Sequence, residues 1–317
     1  MKTISILIPA YNEEPVLDKL AKRLGKLADD NIDYEFEFLF VNDGSKDKTL
    51  DLIKQYAEKD PRVSFVNLSR NFGKEIGMIA GLDHVTGDAT VVIDADLQDP
   101  PELIPEMIRL WEEGYDDVYA KRKSRDGESF LKKFSSKMYY RILQSLTRIE
   151  IQKDTGDFRL LDRRVVEALK QFRESQRNTK AMFSWVGFHK KEILYDRDAR
   201  AAGETTFNYL KLAELAIDGI TSFTTSPLRI STYVGVFVSI FTFIYLVVLV
   251  IRTFFFGADL AGYPSTMAVI LFLGGVQLLS LGIIGEYVGR IFNETKQRPL
   301  YLIEEYHNGK SPRKARG

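Results

Sequence analysis

The chain has 317 residues, with 44 Lys and Arg against 44 Asp and Glu, and it contains no cysteine. Balanced charge removes any whole-molecule electrostatic case for nucleic-acid binding. The lack of cysteine excludes a disulfide framework and a thiolate metal site.

The opening segment, MKTISILIPAYNEE, enters an apolar strand over Thr3 to Ile8 and has no signal-peptide layout. Leu17, Leu20, Leu24 and Leu27 recur at helical spacing and predict a helix from Glu14 to Ala28. Phe36 to Val41 reads as a strand, Lys46 to Glu58 as a helix, Val63 to Leu68 as a strand and Lys74 to Val85 as a helix. A strand at Ala89 to Ile93, a helix at Glu102 to Trp111 and a short strand at Val118 to Ala120 follow. Such alternation predicts an α/β domain: a Rossmann-like, mainly parallel sheet with helices on both faces. In that architecture ligands bind at the carboxyl ends of the strands. No GxGxxG opens the first helix, which disfavours a dinucleotide-binding dehydrogenase.

The polar residues gather at those strand ends. Pro9 to Glu13 follows the first strand, Asn42 to Ser45 the second, and VVIDADLQDPPE spans the end of the fourth. Side chains alternate on an extended backbone, so Asp94, Asp96 and Gln98 are expected to project together. Two carboxylates and an amide oxygen form a hard-oxygen site, suited to Mg²⁺ or Mn²⁺ that also holds a diphosphate. Pro100 and Pro101 end the strand and can open the next helix.

Apolarity concentrates in the last third. Ile230 to Ile251 and Leu260 to Gly285 carry no charge, and each exceeds the roughly 20 residues needed to cross a bilayer. Phe241, Phe243 and Leu246 to Val250 leave no polar face. Lys211 and Arg229 precede the first span, and Arg290, Lys296 and Arg298 follow the second, which predicts cytoplasmic outer ends at the plasma membrane. Gly274, Gly275, Gly282, Gly285 and Gly289 supply small-residue spacing for close helix approach. Phe207 to Phe223 mixes apolar and charged positions as an amphipathic helix at the membrane surface would. The expected organisation is a catalytic domain over 1–206, a juxtamembrane amphipathic helix over 207–229, two transmembrane helices over 230–289 and a basic cytoplasmic tail over 290–317.

PAYNEE at 9–14, NDGSKDKT at 42–49, RNFGKE at 70–75, DADLQDPPE at 94–102 and TGDFRLLDR at 155–163 carry a resemblance. In order, and followed by two spans, they resemble family 2 glycosyltransferases of the GT-A fold, and within them the polyprenyl-phosphate glycosyltransferases. The bactoprenol glucosyltransferase branch is most similar, with the dolichol-phosphate mannosyltransferases next. The resemblance implies transfer of one sugar from a nucleotide to a polyprenyl phosphate such as undecaprenyl phosphate, with inversion and with a divalent metal. UDP-glucose is the favoured donor and GDP-mannose the alternative. A processive polysaccharide synthase is disfavoured, because neither Trp111 nor Trp185 lies in a QxxRW motif and two spans enclose no channel. A non-catalytic nucleotide-binding scaffold is disfavoured by the intact Asp94, Asp96 and Asp157. A bilayer partner is expected and a nucleic acid is not; a homo-oligomer is left open.

The same resemblance assigns Pro9, Tyr11, Glu13 and Asp43 to the nucleoside, and Asp94, Asp96 and Gln98, with Ala95 contributing backbone, to the metal and diphosphate. Arg122 and Arg200 are candidates for charge-assisted phosphate contacts. Asp157 matches the position of the catalytic Asp and also reads as the start of a helical run through Val165, Val166 and Leu169. A lipid monophosphate has a second pKa of roughly 6, so it is largely dianionic at neutral pH and needs little deprotonation. Asp157 is therefore expected to orient the reactants more than to abstract a proton. Arg125, Lys132 and Lys133, interleaved with Phe130, Leu131 and Phe134, fit an acceptor and membrane interface. Lys74 in RNFGKE receives no role, and Gly203 to Phe207 lacks a lysine that relatives often carry.

Overall fold

The computed structural model describes residues 1–123, 155–174, 179–195, 226–256 and 262–309. The chain divides into two compact units, one holding the sheet together with residues from Pro299 onward, the other spanning Tyr209–Arg298.

Strands β1 (Lys2–Ala10), β2 (Tyr34–Asn42), β3 (Val63–Leu68) and β4 (Ala89–Val92) run parallel in the order β3-β2-β1-β4. They are linked by helices α1 (Glu14–Asp30), α2 (Thr49–Lys59) and α3 (Lys74–His84), and α4 (Ile104–Glu112) follows β4 through a short 3₁₀ turn at Pro101–Leu103. Along β1, Ile4, Ile6 and Ile8 face one core and Leu7 the other, all without solvent exposure. A parallel strand covered on both faces requires that continuous apolarity. The expected elements from 3 to 120 are all present, with ends shifted by a few residues; the helix expected from Lys46 begins at Thr49 because Asp47 takes the turn before it, its Oδ1 accepting the Thr49 N–H at 3.0 Å.

The other half of the sheet is mixed. β5 (Asp117–Arg122) is followed by β6 (Thr155–Asp162), α5 (Arg163–Lys170), α6 (Thr179–Trp185) and β7 (Lys190–Tyr195). β6 lies antiparallel between β4 and β5, and β7 pairs parallel with β5 at the edge. The helical run expected from Asp157 is corrected here. Phe158 and Leu160 face one core while Leu161 faces the other, a period of two, so this stretch is strand. The helix starts after Asp162, whose side chain accepts the Arg164 N–H as an N-cap. Between Asp157 and Leu161, Arg159 is fully buried, ion-paired to Asp117 at 3.0 Å and seated 3.7 Å from the Phe183 ring centroid.

A final strand, β8 (Ile303–His307), adds antiparallel to the outer edge of β3. The sequence reading had no strand there. Its burial pattern is exposed throughout, so it carries little of the apolar signal by which strands are recognised.

In the second unit, α7 (Ser226–Phe256) and α8 (Tyr263–Thr295) contain apolar stretches of 28 and 27 residues, long enough to be membrane spans. Among the described residues their apolar side chains are not buried in protein: Phe237 and Leu278 are each 72% exposed. Ser231 Oγ donates to Ser280 Oγ at 2.9 Å and links the two helices. The expected juxtamembrane helix over 207–229 falls almost wholly outside the described residues.

Candidate active site

The loops after β1 and β2 are fastened together by their own polar groups. The Asn12 N–H donates to Ser45 Oγ at 3.0 Å, and Asn12 Oδ1 accepts the Lys46 N–H at 2.8 Å. The Glu13 N–H donates to Thr49 Oγ1 at 2.9 Å and the Glu14 N–H to Asp47 Oδ2 at 3.2 Å. Asn12 adopts φ 56°, a conformation Asn tolerates better than most residues. Gly44, at φ 66°, lies so close to the next loop that a Cβ there would sit 2.5 Å from the Arg70 carbonyl carbon. Only glycine lets the two strand-end loops meet.

Asp43 ties in the third loop. Its Oδ1 accepts the Phe72 N–H at 2.7 Å and its Oδ2 the Gly73 N–H at 2.9 Å. Burial pushes the Asp43 carboxyl up, and those two backbone donors partly offset it. The loop then opens α3, whose first residue is Lys74.

Lys74, to which the sequence assigns no role, lines the cleft and sits between two carboxylates. Its ammonium lies 2.7 Å from Asp94 Oδ2 and 2.6 Å from Asp157 Oδ2, joining the end of β4 to β6. Burial pushes the Asp94 carboxyl up, Lys74 opposes this, and the neighbouring charges of Asp157 and Asp96 push it further up. One ammonium thus bridges two carboxylates, with Asp96 adding negative charge beside Asp94. The signal was the RNFGKE motif itself; the partners come from β4 and β6, far off in sequence.

Asp94 and Asp96 do not alternate along a strand as expected. β4 ends at Val92, and 94–98 form a turn in which Leu97 adopts φ 61°. A branched residue there costs about 1–2 kcal/mol, strain of the kind concentrated at functional sites. Both carboxylates reach the same cleft, whereas Gln98 is not among the lining residues. Its backbone N–H instead donates to Asp96 Oδ1 at 3.1 Å and holds that carboxylate in place.

The cleft has a volume of about 270 Å³ and is lined by Pro9, Tyr11, Glu13, Asp43, Asp94, Ala95 and Asp96 from the expected set. Asn71, Gly73, Lys74 and Gly77 complete it. Tyr11 is 42% exposed, which leaves a ring face free for stacking. Arg122 ends β5 but is not among the lining residues. Arg125, Lys132, Lys133 and Arg200 lie outside the described residues.

Among the described residues no three His, Asp or Glu side chains form a metal cage. The donor set nevertheless fits a divalent cation: Asp94 and Asp96 both bring a carboxylate to the cleft, and Asp94 shares its ammonium partner Lys74 with Asp157. Mg²⁺ typically takes one or two carboxylates and completes its shell with substrate phosphates and water.

A sheet of order β7-β5-β6-β4-β1-β2-β3-β8, with one antiparallel strand inserted beside β4 and an acidic cleft at the carboxyl ends, defines a glycosyltransferase of the GT-A fold. The profile of glycosyl transferase family 2 matches residues 5–170, and one described as the GtrB C-terminal hairpin matches 226–291. The chain belongs to glycosyl transferase family 2. An uncharacterised glycosyltransferase of Synechocystis is 49% identical over 302 residues, covering 95% of each chain. A prophage-derived bactoprenol glucosyl transferase of Shigella flexneri is 45% identical over 309 residues, covering 96% of this chain and 99% of the relative. Among solved structures, glucosyl-3-phosphoglycerate synthase of Mycobacterium tuberculosis, in complex with Mn²⁺, UDP-glucose and phosphoglyceric acid, is 19% identical with a TM-score of 0.44, covering 68% of this chain and 76% of that one.

Proposed function

We propose that this enzyme transfers glucose from UDP-glucose to a polyprenyl phosphate, undecaprenyl phosphate in a bacterial membrane, with inversion, at the cytoplasmic face. The observation that carries the reading is the single cleft in which Asp43, Asp94, Asp96 and Lys74 converge, with Asp157 reached through Lys74. The Shigella relative's name supports glucose as the sugar and a bactoprenol carrier as the acceptor.

Tyr11 offers its ring to the base, and Asp43 keeps lone pairs for base or ribose donors beside the two backbone N–H groups it already accepts. Asp94 and Asp96 would hold Mg²⁺ or Mn²⁺ with the diphosphate. Bound there, the ion supplies Lewis-acid stabilisation of the charge that builds on the leaving UDP. Lys74 holds Asp157 beside that group, which supports an orienting role for Asp157 toward a nucleophile that arrives already as a dianion. Backside approach of the phosphate oxygen to the anomeric carbon inverts its configuration.

Two features support the membrane arrangement. The strands before α7 and the strand after α8 belong to one sheet, so an even number of crossings separates them. Basic residues also flank both outer ends of the helix pair.

The test is reconstitution in membranes with a divalent ion, undecaprenyl phosphate and a panel of labelled nucleotide sugars. UDP-glucose alone is expected to give an organic-extractable glycolipid, and chelation or Asp96→Ala to abolish it. A product from GDP-mannose instead overturns the donor assignment; full activity in excess chelator overturns the metal.

A further inference from the structure

We infer that Glu304, in the segment that follows the second apolar helix, is a positioning residue for the nucleotide-sugar site, acting through a relay of buried amides. The inference rests on the transferase reading above and deepens it.

β8 does not pair evenly with β3. Asn67 stands opposite Glu305 and Leu68 opposite Ile303, so Glu304 is the extra residue of a bulge. Bulges re-aim a side chain, and they are enriched beside active sites. Here the re-aimed carboxylate accepts from Asn67 Nδ2 at 3.1 Å. Asn67 Oδ1 in turn accepts from Asn42 Nδ2 at 2.7 Å, and Asn42 Oδ1 accepts the Ser45 N–H at 3.4 Å. Asn42 and Asn67 are 1% and 4% exposed, so neither amide turns freely to water.

The inner end of this relay is the donor cleft. Asn42 immediately precedes Asp43, which lines the cleft and clamps the Phe72 and Gly73 N–H groups ahead of Lys74. Ser45 Oγ accepts the Asn12 N–H and so reaches the loop bearing Tyr11 and Glu13. The same segment also grips the helix that carries Lys74, because the Tyr301 hydroxyl donates to Asp83 Oδ2 on α3 at 2.8 Å. An anionic acceptor at the rim fixes which way both buried amides face, and their orientation sets the loop. Without Glu304 the relay loses its terminal acceptor and the 42–45 loop gains alternatives that donor binding must then suppress.

The adjacent residue provides an internal control. Glu305 stands opposite Asn67 through its backbone, but its side chain is at the surface, paired to Lys54 at 2.5 Å with both side chains at least 40% exposed, and among the described residues that side chain has no hydrogen bond to the relay amides. Full-length protein reconstituted with Mn²⁺ and undecaprenyl phosphate is compared as wild type, Glu304→Ala, Glu304→Gln and Glu305→Ala. Glu304→Ala is expected to raise the KM for UDP-glucose roughly 3- to 10-fold, the worth of one hydrogen bond, while kcat stays within about twofold. Glu304→Gln restores KM, since its Oε1 accepts the same bond, and Glu305→Ala leaves KM at the wild-type value. Amide exchange at Ser45, Phe72 and Gly73, which needs no donor, is expected to quicken in Glu304→Ala alone. Unchanged exchange and KM in Glu304→Ala, or an equal rise in Glu305→Ala, overturns the relay. A wild type that makes glycolipid from no donor overturns the transferase reading, and the exchange measurement still decides the relay.

Discussion

Lys74 is the residue on which the charge balance of the cleft turns. Its ammonium bridges Asp94 and Asp157, and Asp96 adds a further negative charge close by. Replacing it by methionine keeps the stem and removes the cation. The expected outcome is tighter Mn²⁺ binding by donor-free protein, about tenfold or more given the Coulomb energy of a charge at such distances, together with slower turnover. Titration calorimetry and steady-state rates on Lys74→Met check the two halves separately; weaker metal binding in that variant contradicts the balance described. Asp157 is tested through its pH profile. Asp157→Asn is expected to cost roughly 10- to 100-fold by the same factor across pH. Steep recovery of rate above neutral pH in the variant would return Asp157 to a proton-abstracting role.

Among the elements, β6 joins the two halves of the sheet, and its centre is a buried ion pair rather than an apolar residue. Arg159 and Asp117 are both fully buried. Removing one partner strands the other, so Arg159→Met is expected to destabilise the fold by about 3–5 kcal/mol. The double variant with Asp117→Leu is expected to recover most of that loss, and chemical denaturation of the set measures it. A second element-level contact joins α1 to the turn following the Asp94 motif: Arg23 Nε donates to Glu102 Oε1 at 2.9 Å, and this hydrogen bond holds the Glu102 carboxyl below its ordinary 4.5. A depressed acid contributes stability that is present above its unfolded value and lost as pH falls through the folded one. Thermal stability is therefore expected to drop below about pH 4.5, and Glu102→Gln to remove under about 1 kcal/mol of that drop, since the carboxylate is 64% exposed.

For the whole molecule, the decisive feature is that the chain leaves the sheet, runs through two apolar helices and returns to the sheet as β8. The return covers the edge of β3, which otherwise presents unpaired backbone groups. It also predicts a topology. Because the chain has no cysteine, single substitutions report sidedness cleanly. Ala261→Cys, between the helices, is expected to react with an impermeant maleimide on intact cells, and Ser311→Cys only after lysis. The reverse pattern would place the catalytic unit on the other side of the membrane.

The sequence by itself determined the class of fold, the strand ends that form the cleft and the two apolar helices, because each is written in short-range periodicity or in a contiguous motif. Leu7 between Ile6 and Ile8, or Phe241 to Val250, needs no partner to be recognised. Tertiary structure decided what depends on residues distant in the chain. Asp157 looked like a helix start until pairing with β4 and β5 made it strand. Asp94 and Asp96 met in the cleft through a strained turn at Leu97 rather than through strand alternation, which is why Gln98 did not follow them. Lys74 acquired its role only when α3, β4 and β6 converged. β8 was invisible because a strand exposed along its whole length owes its form to hydrogen bonds with β3, and backbone hydrogen bonding leaves no pattern in side-chain polarity.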